Sequence, residues 1–233
     1  MAKAPKKILT TPKGVLQFPS LRTPNTKFTP EGNFEAPLIL RQDCPDTQAF
    51  LAKLEPFYKQ AEAFAQEQFK ALPVGSRKKL GEVKMNPLYT EVYDKDTEEP
   101  TGEIKFNFKM KASGVRQDGT KWTAKLPVFD AKGKKLDPVP DAWGGTVAKV
   151  SFEVKKDFKT GQFGYFIPGT GAGGLTLALE AVQIIELSSG GARDAGGYGF
   201  GEEDGYEGSD ETDESGWSGS DDAEASAGDN GDF

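Results

Sequence analysis

The sequence predicts a mainly β body, an antiparallel sheet closed into a barrel, with one capping α-helix and an acidic C-terminal extension. Three observations predict it. From residue 87 onward, apolar residues recur at every second position, in runs separated by turn signals. Over 46–72 they recur at spacings of three and four instead. After residue 187, Gly, Ser, Asp and Glu dominate. Many short strands broken by turns suit a closed or sandwiched sheet, and a Greek-key barrel of about five strands with added strands fits them.

Residues 1–13, MAKAPKKILTTPK, are basic, contain two prolines and read as a flexible arm. GVLQFPSL (14–21) and NFEAPLILR (33–41) are candidate strands, and Pro19 and Pro37 suggest edge positions or bulges. In 46–72, Phe50, Leu54, Phe57, Ala61 and Phe64 form one stripe, which Leu51 and Tyr58 widen. Asp46 is the expected N-cap, with Asp43 before Pro45 as the alternative. Pro56 predicts a kink or a later start. SRKKLGEVK (76–84) reads as a basic loop.

EIKFNFKMKA (103–112) alternates. Ile104, Phe106, Phe108, Met110 and Ala112 point one way, and Lys105, Asn107, Lys109 and Lys111 the other. QDGT (117–120) is a turn, so KWTAKLPVF (121–129) is expected to pair back as a hairpin. After DAKGK (130–134), TVAKVSFEVKK (146–156) alternates again, with Val150, Phe152 and Val154 inward. DFKTG (157–161) turns the chain into QFGYFI (162–167). LTLALEAVQIIEL (175–187) is the last strand, and its phase slip near Ala181–Val182 predicts a bulge. Residues 14–187 thus form one domain, long enough for a real core. Residues 188–233 read as a disordered tail, because they cannot bury enough apolar area to offset their ordering entropy.

The net charge of −7 hides a division. Residues 1–187 hold 28 basic and 22 acidic residues, a net of +6, whereas 188–233 hold one basic residue, Arg193, and 14 acidic ones, a net of −13. There is no His, which removes Ser-His and Cys-His pairs and any imidazole acid or base. One cysteine, Cys44, excludes an intrachain disulfide and argues against a zinc site. No metal and no cofactor is expected. No stretch approaches the roughly 20 apolar residues of a membrane span, and no signal-like segment opens the chain, so a soluble intracellular protein is expected. The glycine run GTGAGGL (169–175) leads into strand-like alternation rather than a helix, which argues against a phosphate-binding loop.

Three features carry a functional reading. Lys105, Lys109 and Lys111 share one strand face, Lys121 and Lys125 follow on the expected hairpin partner, and Lys149, Lys155, Lys156 and Lys159 on the next. A solvated face explains the first strand alone, but several lysine-bearing strands in one sheet make a groove for phosphates. Aromatics lie on or near turns beside lysines: Trp122, Phe129, Phe158, Phe163, Tyr165 and Phe166. Half or more of these are expected to pack inward. Phe158, in the turn KKDFKTG, is the best placed to stack on a base. The third feature is the tail, which closes on Phe233. A ring, an α-carboxylate and Asp232 in one unit suit a partner pocket with an apolar floor and a basic rim. A tethered polyanion also competes with nucleic acid for a basic groove.

VFDAKGKKLDPVP (128–140) leading into GGTVAKVSFEV (144–154), GLTLALEAVQIIEL (174–187), the acidic tail ending in GDF (231–233), the helix after DCPDTQAF and the start MAK carry a resemblance. Together, and in this order, they resemble the single-stranded DNA-binding proteins of short-tailed bacteriophages. The resemblance implies an OB-fold body, a homodimer, promotion of strand annealing, and action in phage DNA replication, recombination and repair in the cytoplasm of the infected bacterium. It implies that the tail, through Asp229, Asp232 and Phe233, contacts the replicative DNA polymerase and the primase-helicase. It implies a basic N-terminal contact, matched by Lys3, and an aromatic after the KVSFEV strand, to which Phe158 is nearest. It carries nothing over for 76–102.

The expected function is therefore sequence-independent binding of single-stranded DNA, without catalysis. The alternatives are an acidic-tailed scaffold or chaperone for basic proteins, and a carboxylate-dependent nuclease built on Asp94, Asp96, Glu98 and Glu99. The latter four sit in YDKDTEEP, which looks like a solvated loop.

Overall fold

The computed structural model describes residues 6–188. Lys3, Asp229, Asp232, Phe233 and the tail lie outside the described residues. The elements run β1 (Ile8–Thr10), β2 (Gly14–Leu16), β3 (Ser20–Asn25), β4 (Asn33–Arg41), α1 (Pro45–Ala71), α2 (Val74–Leu80), β5 (Lys84–Met85), β6 (Thr90–Tyr93), β7 (Pro100–Lys111), β8 (Ser113–Val115), β9 (Lys121–Thr123), β10 (Val128–Phe129), β11 (Val147–Val154), β12 (Tyr165–Ile167), β13 (Ala172–Gly174) and β14 (Leu177–Glu186).

The main sheet closes on itself. Its order is β11-β2-β4-β7-β14, and β14 pairs again with β11. Within this ring only β14 and β7 are parallel, with Ala178 beside Lys109. A ring of five strands with that single parallel junction is the Greek-key barrel of the OB-fold. The alternation that dictates the strands also fills the barrel. Phe106, Phe108 and Phe152 are fully buried, and Phe50 of α1 lies edge-on to Phe106 at 5.3 Å and Phe152 at 5.9 Å. Each such ring contributes about 1.5–3 kcal/mol of burial.

Helix α1 spans one barrel end. Phe50, Leu54, Ala61 and Phe64 of the expected stripe are buried, and Phe57 is half-buried. The N-cap is Cys44, with Pro45 in the first turn. A proline early in a helix loses no hydrogen bond, which displaces Asp46 from the cap into the first turn beside the dipole. Asp43 instead holds Arg41 at 2.8 Å. The helix continues through Pro56 because Pro56 and Ala52 are both exposed, so the carbonyl left without its donor faces water.

Several expectations are corrected. Residues 8–10 of the N-terminal arm form β1, paired with β11 from Ile8↔Glu153 to Thr10↔Ser151. Part of the loop over 76–84 is α2. Pro37 lies in a central strand, not at an edge. Its carbonyl accepts from Gln17 N at 2.9 Å, so the position where its N–H is missing faces the break between β2 and β3, not β7. The hairpin expected at 117–120 is present over 121–123, but with Ser113–Val115 as its partner and not β7. β9 pairs with β8, and β10 joins β14 in parallel, because the chain leaving β7 makes its own small hairpin first. The bulge expected in β14 near Ala181–Val182 is present, at Glu180: Ser151 faces Ala181, while Phe152 faces Leu179.

Candidate nucleic-acid interface

Barrel closure fixes which side chains share the surface. β4 and β7 pair from Asn33↔Lys111 to Arg41↔Glu103. With Phe106 and Phe108 inside, Lys105, Asn107, Lys109 and Lys111 must face out, opposite Ile39, Pro37, Glu35 and Asn33. Lys111 is exposed, Lys109 holds Glu35 at 2.8 Å, and Lys105 donates to Gln17 Oε1 at 3.3 Å. The β8–β9 hairpin continues from the Lys111 end, where Ala124 N donates to Ala112 O at 2.7 Å. Exposed Lys125 therefore follows directly on the β7 end at Lys111, and exposed Lys121 stands opposite Val115 in the small hairpin.

Two connections of the barrel carry exposed aromatics. The β2–β4 connection carries Phe18 and Phe28, each 81% exposed, with Lys27 Nζ 5.6 Å from the centre of the Phe28 ring. The β11–β14 connection carries Phe158, which is 100% exposed. The turn under Phe158 is built by Asp157, whose carboxylate accepts from Lys159 N at 3.1 Å, Thr160 N at 2.8 Å and Thr160 Oγ1 at 2.9 Å. The Thr160 amide and hydroxyl hold the Asp157 carboxyl below the usual aspartate range. Lys159 is exposed beside Phe158.

The remaining residues differ in exposure and in partners. Lys149 and Lys155 are on or just after β11, which is separated from β7 by β14 on one side and by β2 and β4 on the other. The lysines therefore stand on two sets of strands, β4–β7 and β11, and Lys155 lies at the β11 end that leads to Phe158, where its N donates to Thr176 O at 3.0 Å. On the second set, Lys149 stands opposite Gln183, Lys155 is bonded to Glu153, and Lys6 holds Glu180 at 2.7 Å and Glu153 at 3.7 Å. Carboxylates balance the lysines there. Trp122 is half-buried against Gly114, where an added Cβ would lie 2.9 Å from the indole. Tyr165 is half-buried against Gly174, and its hydroxyl accepts from Asn86 Nδ2 at 2.6 Å. Asp94 caps its own turn, accepting from Asp96 N and Thr97 N at 2.9 Å each.

Phe18, Phe28 and Trp143 were missed as candidates. The signal that singled out Phe158, an aromatic inside a turn-rich stretch beside a lysine, is present at TKFTPEG. Phe18 and Trp143 have no flanking cation, which is why that signal passes them over.

These elements define a class: an OB-fold barrel whose outer face on the second and third strands is basic and is accompanied by aromatic-bearing loops, the surface with which this fold takes oligonucleotides and oligosaccharides. The chain belongs to the family of the single-stranded DNA-binding protein of bacteriophage T7, whose family model matches residues 9–187. It is 30% identical over 163 residues to the single-stranded DNA-binding protein of Enterobacteria phage T3, covering 69% of this chain and 64% of that protein. To the single-stranded DNA-binding protein of Escherichia phage T7 it is 28% identical over 178 residues, covering 75% of this chain and 67% of that protein. The crystal structure of gp2.5, a single-stranded DNA-binding protein encoded by bacteriophage T7, superposes with a TM-score of 0.58 at 25% identity, covering 88% of this chain and all of that one.

Proposed function

We propose that the chain binds single-stranded DNA without sequence preference on the outer face of β4 and β7. Lys105, Lys109 and Lys111 track the phosphates, and Phe158 stacks on a base. Lys121, Lys125 and Lys159 extend the positive field, and Lys3 adds to it from the N terminus. The observation that carries the reading is the lysine row standing on the oligonucleotide-binding face of a closed OB barrel. Family membership supports it. Binding is electrostatic tracking plus stacking and involves no bond making or breaking. Trp122 and Tyr165 are packed against glycines and Lys155 is bonded to Glu153, so in this reading they and Lys149 are secondary to the row.

The tail supplies a second function. Its −13 charge competes with DNA for the body, and Asp229, Asp232 and Phe233 engage the replicative polymerase and the primase-helicase. The protein then acts as a homodimer in the cytoplasm of the infected host, protecting strands during replication, recombination and repair.

Fluorescence anisotropy with labelled oligo(dT) and a duplex of equal length, at two salt concentrations, tests the binding. Single strands are expected to bind more tightly, and log K to fall with log salt by about 0.7 per phosphate neutralised. Equal affinity for both forms at matched salt overturns the reading.

A further inference from the structure

Strand alternation breaks between β2 and β3. Leu16 and Leu21 are both buried, yet they stand five residues apart, an odd spacing that a continuous strand cannot place on one face. The chain absorbs the slip at Phe18, whose φ is +49°. That region suits glycine, and a bulky residue there is an outlier held by its surroundings. The slip accounts for the backbone but not for the side chain, a phenyl ring 81% exposed to water.

The neighbours of Phe18 connect it to the basic face. Gln17 N donates to Pro37 O at 2.9 Å, and Gln17 Oε1 accepts from Lys105 at 3.3 Å. On the other side runs the segment before β11. Gly145 N donates to Leu16 O at 3.0 Å, and a Cβ added at Gly144 would lie 3.8 Å from Phe18 N. The next residue back, Trp143, is 56% exposed and lines a shallow depression with Pro19 and Leu21. Asp141 ties this segment to β3 through Arg22 at 3.0 Å. Two large exposed rings therefore stand on adjoining segments, and Phe18 directly follows the residue that bonds Lys105.

We infer that Phe18 and Trp143 form an aromatic step that stacks unpaired bases of the DNA strand leaving the Lys105 end of the β4–β7 face. The inference rests on the proposed DNA binding and deepens it by extending the strand's path. Bases are the fitting occupant because the step continues a phosphate-attracting face, and every base offers a π-surface. The step has no free lysine of its own, so it contributes stacking and not counterion release.

The test uses the full chain with F18G and W143A. F18G removes the ring and suits a positive φ, so its melting temperature should match or exceed that of the unsubstituted protein. Each variant is expected to weaken binding of a long oligo(dT) by about 5- to 100-fold with the salt slope unchanged. A short oligomer that covers only the lysine row should be affected less. In W143F, the quenching of intrinsic fluorescence by oligo(dT) should fall. Full affinity of F18G and W143A for the long oligomer, alongside weakening by K109A, overturns the step and leaves the basic face intact. An altered oligomeric state with unchanged DNA affinity also overturns it, assigning the patch to a second copy of the chain. No binding of single strands by the unsubstituted protein overturns both readings.

Discussion

Lys109 stands 2.8 Å from Glu35, so a phosphate that reaches it must displace a carboxylate already in place. Glu35 also accepts from Asn25 Nδ2 at 3.3 Å, a bond that an amide oxygen can replace. E35Q is therefore expected to keep the fold, raise single-strand affinity a few-fold at low salt and steepen the salt slope. K109A should do the reverse, reducing the slope by about 0.7. In the proposed function Phe158 acts through a different force. Its ring carries no charge, so F158A should weaken binding by about 5- to 100-fold while leaving the slope unchanged. Salt-dependent anisotropy separates the two kinds of contact. A slope that moves with F158A, or stays put with K109A, reverses the roles given to them.

At the scale of elements, the position of Phe158 depends on what lies beneath its connection. β12 and β13 pack on α1 through glycines. A Cβ on Gly164 would lie 2.7 Å from Ala61 Cβ, and one on Gly173 would lie 2.7 Å from Ala65 Cβ. Gly164 also has a φ of +110°. G164A combines strain with a clash against the helix, so it should destabilise by about 2–4 kcal/mol and lower the melting temperature by roughly 5–15 °C. An unchanged melting temperature would mean that α1 does not rest on this connection. The glycine run that reads as a poor phosphate loop thus has a packing role.

The turn itself has a pH signature. Asp157 is held below its ordinary 3.8 by the Thr160 amide and hydroxyl, so its support is complete above the unfolded value and lost as pH falls through the folded one. The affinity lost in F158A should therefore be constant from pH 5 to 8, and D157A should give part of that loss at every pH. A Phe158 contribution that varies across this window would remove Asp157 as the turn's support. Strands and helix were legible because alternation and the three-and-four spacing are local. Pairing was not. Nothing within EIKFNFKMKA says that Lys105 faces Ile39 and that the strand's continuation folds into β8–β9, because closure depends on residues far along the chain. The lysine row was legible for the same local reason. The separation of β11 and its Lys149 from that row by β14 was not.

At the scale of the whole molecule, charge is divided between parts that share one chain. The body's +6 is opposed by −13 on residues 188–233. In the proposed function, tethering holds that polyanion at an effective concentration of about millimolar, where it competes with DNA phosphates for the lysine row at any dilution. Ending the chain at Arg193 changes the net charge from −7 to +7. Single-strand affinity is then expected to rise about ten-fold at low salt, and the gain should shrink as salt screens tail and DNA alike. F233A in the full chain distinguishes the two roles proposed for the tail. It removes a ring but no charge, so DNA affinity should stay within two-fold while capture of the polymerase or primase-helicase is lost. A scaffold for basic proteins gives a different pattern: truncation abolishes its activity, and the body binds no single strands at either salt concentration. If truncation leaves DNA affinity unchanged at low salt, the tail does not reach the lysine row, and its acidity serves its partners alone.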